Sequence, residues 1–206
     1  MAVRAVALLF ALAAPAGAAR ADAAADYAAR CAACHGADRL GGQGPALLPG
    51  NLERLKREGA ARVIAAGGPA SRMPAFGATL DAARIAALAD WIHTPPAVPP
   101  VWGEAEIAAS RNVLRAGPDP AGGPVYDADP LNLFVVVEAG DHHVTILDGD
   151  RFETLARFAS RFALHGGPKF SPDGRYVYFA SRDGWVSRYD LWRLEPVAEV
   201  RAGINT

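Results

Sequence analysis

Two cysteines and a histidine lie within five residues of each other, in the run Cys31-Ala32-Ala33-Cys34-His35. Two thiols three residues apart on one helical turn can reach the two vinyl groups of a single haem, and the next imidazole can reach the iron. The pattern C-x-x-C-H is that of covalent c-type haem attachment. It predicts a haem c linked to Cys31 and Cys34, with His35 as the proximal iron ligand.

Other chemistries also use closely spaced cysteines. A thioredoxin-like redox pair shares the C-x-x-C spacing, but it expects a βαβ context and no obligatory histidine. A zinc site needs further Cys or His ligands at short spacing, and the chain of 206 residues contains only these two cysteines. A disulfide between them would close a very small loop and add little stability. Haem attachment is therefore the favoured interpretation.

The opposite face of a haem iron has room for a sixth ligand, and Met73 is the only methionine besides the initiator. It lies in the run R-M-P-A-F-G (72–77), between two predicted helices. A thioether there can bind the iron opposite His35, and Met/His ligation raises the reduction potential. The alternatives are a gap-filling role for Met73 in the core, and ligation by His93 instead.

Short helices joined by glycine- and proline-rich loops are predicted around these residues. Ala23–Cys34 is expected to form a helix that ends in the attachment motif, and Glu58–Ala66 a second one. Thr79 is the predicted N-cap of a third. The loop Gly41–Pro45 offers carbonyls that can accept the Nδ1 proton of His35 and fix its ring, although a simple turn is the alternative.

The first residues have the pattern of an export signal. Met1–Arg4 is basic and Ala5–Ala14 is a short apolar run. Ala16-Gly17-Ala18 or Ala19-Arg20-Ala21 offers the small-residue pattern that a signal peptidase needs. The run is too short to cross a bilayer, which takes about 20 apolar residues. We predict a cleaved signal peptide over residues 1–21 and a periplasmic protein without stable membrane insertion. An uncleaved, membrane-anchoring start is the alternative.

The charge of the chain argues against one class of partner. The formal net charge is −1, so electrostatics give no reason to expect binding to nucleic acid or to an anionic membrane.

A proline-rich stretch over residues 94–130 is predicted to be a linker with one helix at Glu104–Leu114. Beyond it, β-branched and aromatic runs alternate with Asp-Gly turns, which predicts strands at 133–137, 144–147, 176–179 and 185–189. A shift of 42 residues sets Asp141 on Asp183 and Asp148 on Asp190 without a gap. A period of about 40–45 residues is typical of β-propeller blades.

The repeated part is short for a propeller. Residues 131–206 hold 76 positions, fewer than two such units, whereas a propeller needs about four blades or more. We expect a two-domain α + β fold, in which an all-α domain precedes the first one or two blades of an incomplete propeller. A fragment of a longer protein or a truncated reading frame is the expectation. Another antiparallel meander is the alternative.

Residues 23–93 resemble a class I cytochrome c domain, because C-A-A-C-H-G, G-x-G-P and R-M-P-x-F-G precede a terminal helix in the expected order. Its pairing with a propeller resembles the cytochrome cd1 family, whose eight-bladed propeller carries haem d1. The likeness includes D-P-L-N-L-F (129–134) and A-L-H-G-G-P-K-F-S-P-D-G-R-Y (163–176). In that family the histidine before S-x-x-G-R-Y is the proximal ligand of the d1 iron, which implies His165. A loop histidine bonded to backbone is the alternative.

The resemblance implies a division of the chain into four segments and the use of two cofactors. The segments are a signal peptide (1–21), a cytochrome c domain (22–93), a linker (94–130) and a partial haem d1 propeller (131–206). The cofactors are a covalent haem c and, in the full-length protein, haem d1.

Two functions occur in this family. In nitrite reductase, electrons pass from haem c to d1, where nitrite is reduced to nitric oxide. In the dehydrogenase of haem d1 biosynthesis, dihydro-haem d1 is oxidised and electrons leave through haem c. The runs W-G-E-A-E-I (102–107), G-D-H-H (140–143) and L-H-G-G-P-K-F (164–170) resemble the dehydrogenase more.

A d1-biosynthesis dehydrogenase is therefore predicted, with nitrite reductase or a stand-alone electron-transfer cytochrome as the alternatives. The implied partners are a periplasmic electron donor or acceptor protein and haem d1 or its precursor. Because a d1 pocket needs walls from most blades, we expect neither turnover nor a catalytic residue in this chain alone.

Overall fold

The structure is a computed structural model that describes residues 16–69 and 71–204. Helices form the first part of the chain and antiparallel strands the last. Most of the predicted signal peptide lies outside the described residues, and positions 16–21 begin the first helix.

The helical part encloses its own hydrophobic core. The described helices are α1 (Ala16–Arg30), α2 (Ala32–His35), a 3₁₀ turn (Pro49–Leu52), α3 (Arg57–Ala66), α4 (Ala82–Ile92) and α5 (Glu104–Ala109). Helix α4 contacts both α1 and α3. The core consists of the buried residues Tyr27, Leu52, Ala60, Ile64, Leu80, Ile85, Leu88, Ala89 and Ile92.

Helix α4 shows how the sequence produces this core. Its buried residues recur at the i, i+3, i+4, i+7 spacing of one helical face, from Ile85 to Ile92. The predicted cap was wrong: Asp81, not Thr79, is the N-cap, because its carboxylate accepts a hydrogen bond from the Arg84 amide at 2.9 Å. The Thr79 hydroxyl instead donates to the Phe76 carbonyl at 3.2 Å.

Two helix boundaries also differ from the prediction. The helix expected over Ala23–Cys34 is divided at Cys31, which separates α1 from α2. The helix expected over Glu104–Leu114 ends at Ala109, and Asn112–Val113 forms a short strand, β1. Asn112 and Val113 are extended rather than helical because they pair with the last strand of the chain.

The strands form two antiparallel sheets within the described residues. One sheet has the order β2-β3-β4 and the other β1-β8-β7-β6-β5. Their bounds are β2 (Leu133–Glu138), β3 (His143–Asp148), β4 (Thr154–Ala159), β5 (Leu164–Phe170), β6 (Tyr176–Ser181), β7 (Trp185–Asp190) and β8 (Glu195–Arg201). Four of them match predicted strands, and β4, β5 and β8 are additional. Side chains from both sheets share a second core, Val144, Ile146, Val177, Phe179, Tyr189 and Leu191.

The repeat of 42 residues is visible as a repeated turn. Asp148 ends β3, and its Oδ1 accepts hydrogen bonds from the amides of Asp150 and Arg151 at 2.8 and 3.1 Å. Asp190 ends β7 and bonds the amides of the two corresponding residues in the same way, at 3.0 and 3.2 Å. The two sheets therefore use one sequence device to turn the chain.

We expect acid to weaken the three-stranded sheet through Glu138. Its carboxylate accepts from the Arg157 guanidinium at 2.7 Å and from the Thr145 hydroxyl, and these bonds lower the pKa of Glu138 from 4.5 to about 2. The stability from this depressed pKa is present above 4.5 and is lost as pH falls toward 2. Thermal unfolding between pH 5 and 2 should show a shallower loss of Tm for Glu138→Gln than for the wild type.

The control for this prediction is Glu53→Gln, which removes an exposed carboxylate from the helical part. Equal pH slopes for Glu138→Gln and Glu53→Gln would contradict the assignment.

Candidate haem c site

His35 is the last residue of α2 and is buried, with 7% of its surface exposed. The attachment motif stays helical because the Cys31 amide donates to the Tyr27 carbonyl and the His35 amide to the Cys31 carbonyl, both at 2.9 Å. Gly44 lies against the imidazole, and a Cβ at that position would come within 2.8 Å of its Cε1. A glycine at this point therefore leaves the space that the ring occupies.

The loop carbonyl that orients this ring belongs to Pro45. Its oxygen lies 2.8 Å from Nδ1 of His35. A carbonyl only accepts hydrogen bonds, so Nδ1 carries the proton and Nε2 keeps a free lone pair. Burial lowers the pKa of His35, with the Pro45 bond acting in the opposite sense. A neutral imidazole with an open Nε2 is the form that binds iron.

The two cysteines are free thiols in the described structure. Cys31 is half-buried and Cys34 is exposed. Burial, reinforced by the charge of Asp26, raises the pKa of the Cys31 thiol to about 11. Dithiol redox proteins depend on a lowered thiol pKa, so the environment of Cys31 disfavours the thioredoxin-like alternative.

Two residues that the sequence did not single out, Tyr27 and Arg39, hold the motif against α4 through Trp91. The Tyr27 hydroxyl donates to the Gly36 carbonyl at 2.6 Å, and its ring lies 4.8 Å from that of Trp91. Arg39 is buried, stacks on Trp91 at 4.7 Å, and donates to the carbonyls of Trp91 and Thr94 at 3.1 and 3.0 Å. These carbonyls end a helix, where a cation is favoured.

Met73 lies in the loop between α3 and α4, half-buried against the edge of the helical core. Its backbone is fixed on both sides: its amide donates to the Ser71 hydroxyl at 3.2 Å, and its carbonyl accepts from Gly68 at 3.1 Å. Gly67 begins this loop with a φ of +80°, a conformation that favours glycine. Met73 as the sixth ligand stays a prediction.

His93, the competing ligand, already contacts a protein oxygen with each ring nitrogen. Nδ1 lies 2.7 Å from the Ala89 carbonyl oxygen and Nε2 lies 2.7 Å from that of Leu55. The ring therefore joins the end of α4 to the turn before α3. Binding iron through either nitrogen would break one of these contacts, which favours a structural role for His93.

His165 lies in the strand part of the chain, outside the helices that carry the haem motif. It is an exposed residue of β5, at one end of the five-stranded sheet, opposite Ala180 of β6. The pairing is interrupted after His165, where Gly166 and Gly167 have φ values of +82° and +69°. His165 is thus a strand residue beside a bulge. Its role as a haem d1 ligand stays a prediction.

Two further findings concern the described part of the chain alone. Within residues 16–69 and 71–204, no group of three or more His, Cys, Asp or Glu is arranged to hold a metal ion. No helix of that part is long and apolar enough to cross a membrane.

Two family models match successive parts of the chain. Residues 18–92 match the family described as cytochrome C oxidase, cbb3-type, subunit III, and residues 128–206 match the cytochrome D1 heme domain. The chain therefore contains a segment similar to cytochrome c followed by a segment similar to the haem d1 domain. This order of segments is similar to that of the cytochrome cd1 family.

Two relatives with different named activities are similar to this chain. The chain is 59% identical, over 180 residues, to the dihydro-heme d1 dehydrogenase of Pseudomonas aeruginosa, a match that covers 87% of this chain and 36% of that protein. It is 30% identical to a nitrite reductase of Stutzerimonas stutzeri, covering 86% of this chain and 34% of the relative.

A solved structure agrees with the sequence match. The dihydro-heme d1 dehydrogenase NirN in complex with DHE superposes with a TM-score of 0.80 at 58% identity, over 90% of this chain and 40% of that one. The chain therefore spans about a third to two-fifths of the length of these relatives.

The cytochrome c segment implies a covalent haem c, and the motif fits one. His35 offers an unprotonated Nε2, Gly44 leaves room beside the ring, and both thiols are free. When bound there, haem c supplies one-electron transfer.

We expect spectroscopy to distinguish Met73 from His93 as the sixth ligand. In the oxidised haem protein, Met73→Leu should abolish the weak sulfur-to-iron absorption band at the red end of the spectrum. His93→Ala should keep that band and lower the free energy of unfolding by about 1–3 kcal/mol, because it removes the ring contacts with the Ala89 and Leu55 carbonyls. Loss of the band in His93→Ala, or its persistence in Met73→Leu, would contradict this assignment.

Proposed function

We propose that this chain contributes the haem c electron exit of a periplasmic dihydro-haem d1 dehydrogenase. The single observation that carries the proposal is the haem-binding geometry of His35, which lies in a chain 59% identical to such a dehydrogenase. Oxidation of a dihydro compound releases two electrons and two protons. A c-type haem takes up one electron at a time and passes each to an external acceptor protein.

The proposed site residues divide between the two parts of the chain. Cys31 and Cys34 would hold haem c covalently, and His35 and Met73 would bind its iron. In the full-length protein, His165 would bind the iron of haem d1 or of its precursor. His165 is compatible with this role because its side chain is exposed on an end strand and is open to a ligand.

The proposed segments follow the same division. Residues 1–21 would serve as an export signal, 22–93 as the cytochrome c domain and 94–130 as the linker. The strands after residue 130 would form part of a d1 propeller. The separate hydrophobic cores of the helices and of the strands support this division.

Nitrite reductase is the second candidate, because a relative with that activity is 30% identical over 191 residues. The dehydrogenase is favoured because its identity to this chain is nearly twice as high over a comparable length.

The first test is covalent haem binding by the exported protein. The wild type should contain one haem c per chain in a pyridine haemochrome assay after denaturing extraction. Cys31→Ser with Cys34→Ser should lose the covalent haem, since both thioether bonds are then impossible. His35→Met should keep covalent haem but change its low-spin spectrum, because the thiols remain while the proximal ligand changes.

A wild-type protein without covalent haem would overturn the proposal.

The choice between the two enzymes is tested in the longer protein that contains this sequence. It should oxidise dihydro-haem d1 with one acceptor reduced per electron, and turnover of nitrite without that oxidation would favour the reductase.

A further inference from the structure

The turn between β6 and β7 contacts the loop that follows the haem motif. Asp183 in this turn is buried, with 3% of its surface exposed, and its Oδ1 accepts a hydrogen bond from the Ala46 amide at 3.1 Å. Gly41 faces the same carboxylate, and a Cβ there would overlap Oδ2 of Asp183. The loop thus approaches Asp183 more closely than a side chain at position 41 would permit.

The same loop is bound on its other side to the haem motif. The Gly41 amide donates to the His35 carbonyl and the Gly44 amide to the Cys34 carbonyl, both at 2.9 Å. The Pro45 carbonyl accepts from Nδ1 of His35. The loop is therefore held between the Asp183 turn and the residues that bind haem.

One peptide group connects the two sides. The Pro45 carbonyl and the Ala46 amide belong to a single planar unit, in which C=O and N–H point in opposite directions. Its oxygen accepts from His35 at 2.8 Å, and its N–H donates to Asp183 at 3.1 Å. Hydrogen bonds in series polarise one another, so an anionic acceptor on the N–H strengthens the carbonyl as an acceptor.

Arg201 fixes the turn that carries Asp183. It is buried at the end of β8 and donates from Nε to the carbonyls of Asp183 and Gly203 at 2.8 and 3.0 Å. Its guanidinium also donates to the Leu40 carbonyl, just before the loop. The strand part and the haem loop are thus joined at two points.

We propose that Asp183 is a positioning residue for the proximal ligand His35, acting through the Pro45–Ala46 peptide, so that the strand part tunes the haem c potential. This inference rests on the proposed function, because it requires haem c on His35. A stronger bond to Nδ1 makes the imidazole a more basic ligand, which stabilises oxidised iron and lowers the reduction potential.

The test is a redox titration of the haem-loaded wild type, Asp183→Asn and Asp183→Ala. Alanine removes the acceptor from the Ala46 amide, whereas asparagine keeps an oxygen there and loses the charge. At a fixed potential, Asp183→Ala should lower the ratio of oxidised to reduced haem about two- to fivefold. This change in the ratio corresponds to a reduction potential about 20–40 mV higher than that of the wild type, for a one-electron couple. Asp183→Asn should lie between Asp183→Ala and the wild type.

The matched control is Asp173→Ala, which removes an exposed carboxylate from the β5–β6 turn of the same sheet. It should leave the potential at the wild-type value. A second readout separates the hydrogen-bond path from a through-space charge effect. The Nδ1 proton of His35, observed by NMR in the reduced protein, should move upfield in Asp183→Ala as its bond to Pro45 weakens.

The outcomes are distinct. A folded Asp183→Ala with wild-type potential and Nδ1 signal overturns the inference and leaves the proposed function intact. If Asp183→Ala fails to accumulate, Asp183→Asn provides the test. An intermediate shift of both the potential and the Nδ1 signal supports the inference, whereas the absence of any shift overturns it. A wild type without covalent haem overturns both proposals.

Discussion

The bond between His35 and the Pro45 carbonyl is the constraint on which the rest of the structure depends. An imidazole can bind iron only when one nitrogen is unprotonated and points at the metal. The Pro45 oxygen lies 2.8 Å from Nδ1 and accepts its hydrogen bond, and burial lowers the pKa of His35, which favours the neutral ring. The surrounding contacts keep the Pro45 carbonyl next to the His35 ring. Gly44 leaves room for the ring, and Tyr27 and Arg39 bind the motif to α4.

The strand part contributes to the same constraint through one member of a repeated pair. Asp141 and Asp183 are separated by the repeat of 42 residues. Asp141 lies two residues before the start of β3, and Asp183 lies two residues before the start of β7. Asp141 forms an ion pair with Arg157 inside its own sheet, whereas Asp183 is buried against the haem loop. The same position thus stabilises a sheet in one unit and joins the strands to the helices in the other.

Local signals were sufficient where neighbouring residues decide the conformation. Helix α3 begins and ends within one residue of its predicted bounds, because an apolar face precedes a glycine stop. Local signals failed where pairing with a distant strand sets the conformation. β5 contains Gly-Gly-Pro, and β8 contains Glu, Pro and Ala, all poor strand formers, yet pairing with β6 and β7 makes both extended. Asn112–Val113 forms a strand instead of the predicted helix for the same reason, because it pairs with β8.

The sequence by itself predicted the chemistry of the haem motif, because covalent attachment depends on the spacing of two cysteines and a histidine along one helical turn, as in Cys31, Cys34 and His35. It also predicted the resemblance to cytochrome c and haem d1 segments, and two family models match those segments. Only the tertiary structure decided which carbonyl orients His35, that His93 is engaged with two carbonyls, and that Asp183 lies against the haem loop. Asp183 and Ala46 are 137 residues apart, and such contacts arise from packing, which leaves no local pattern in the chain.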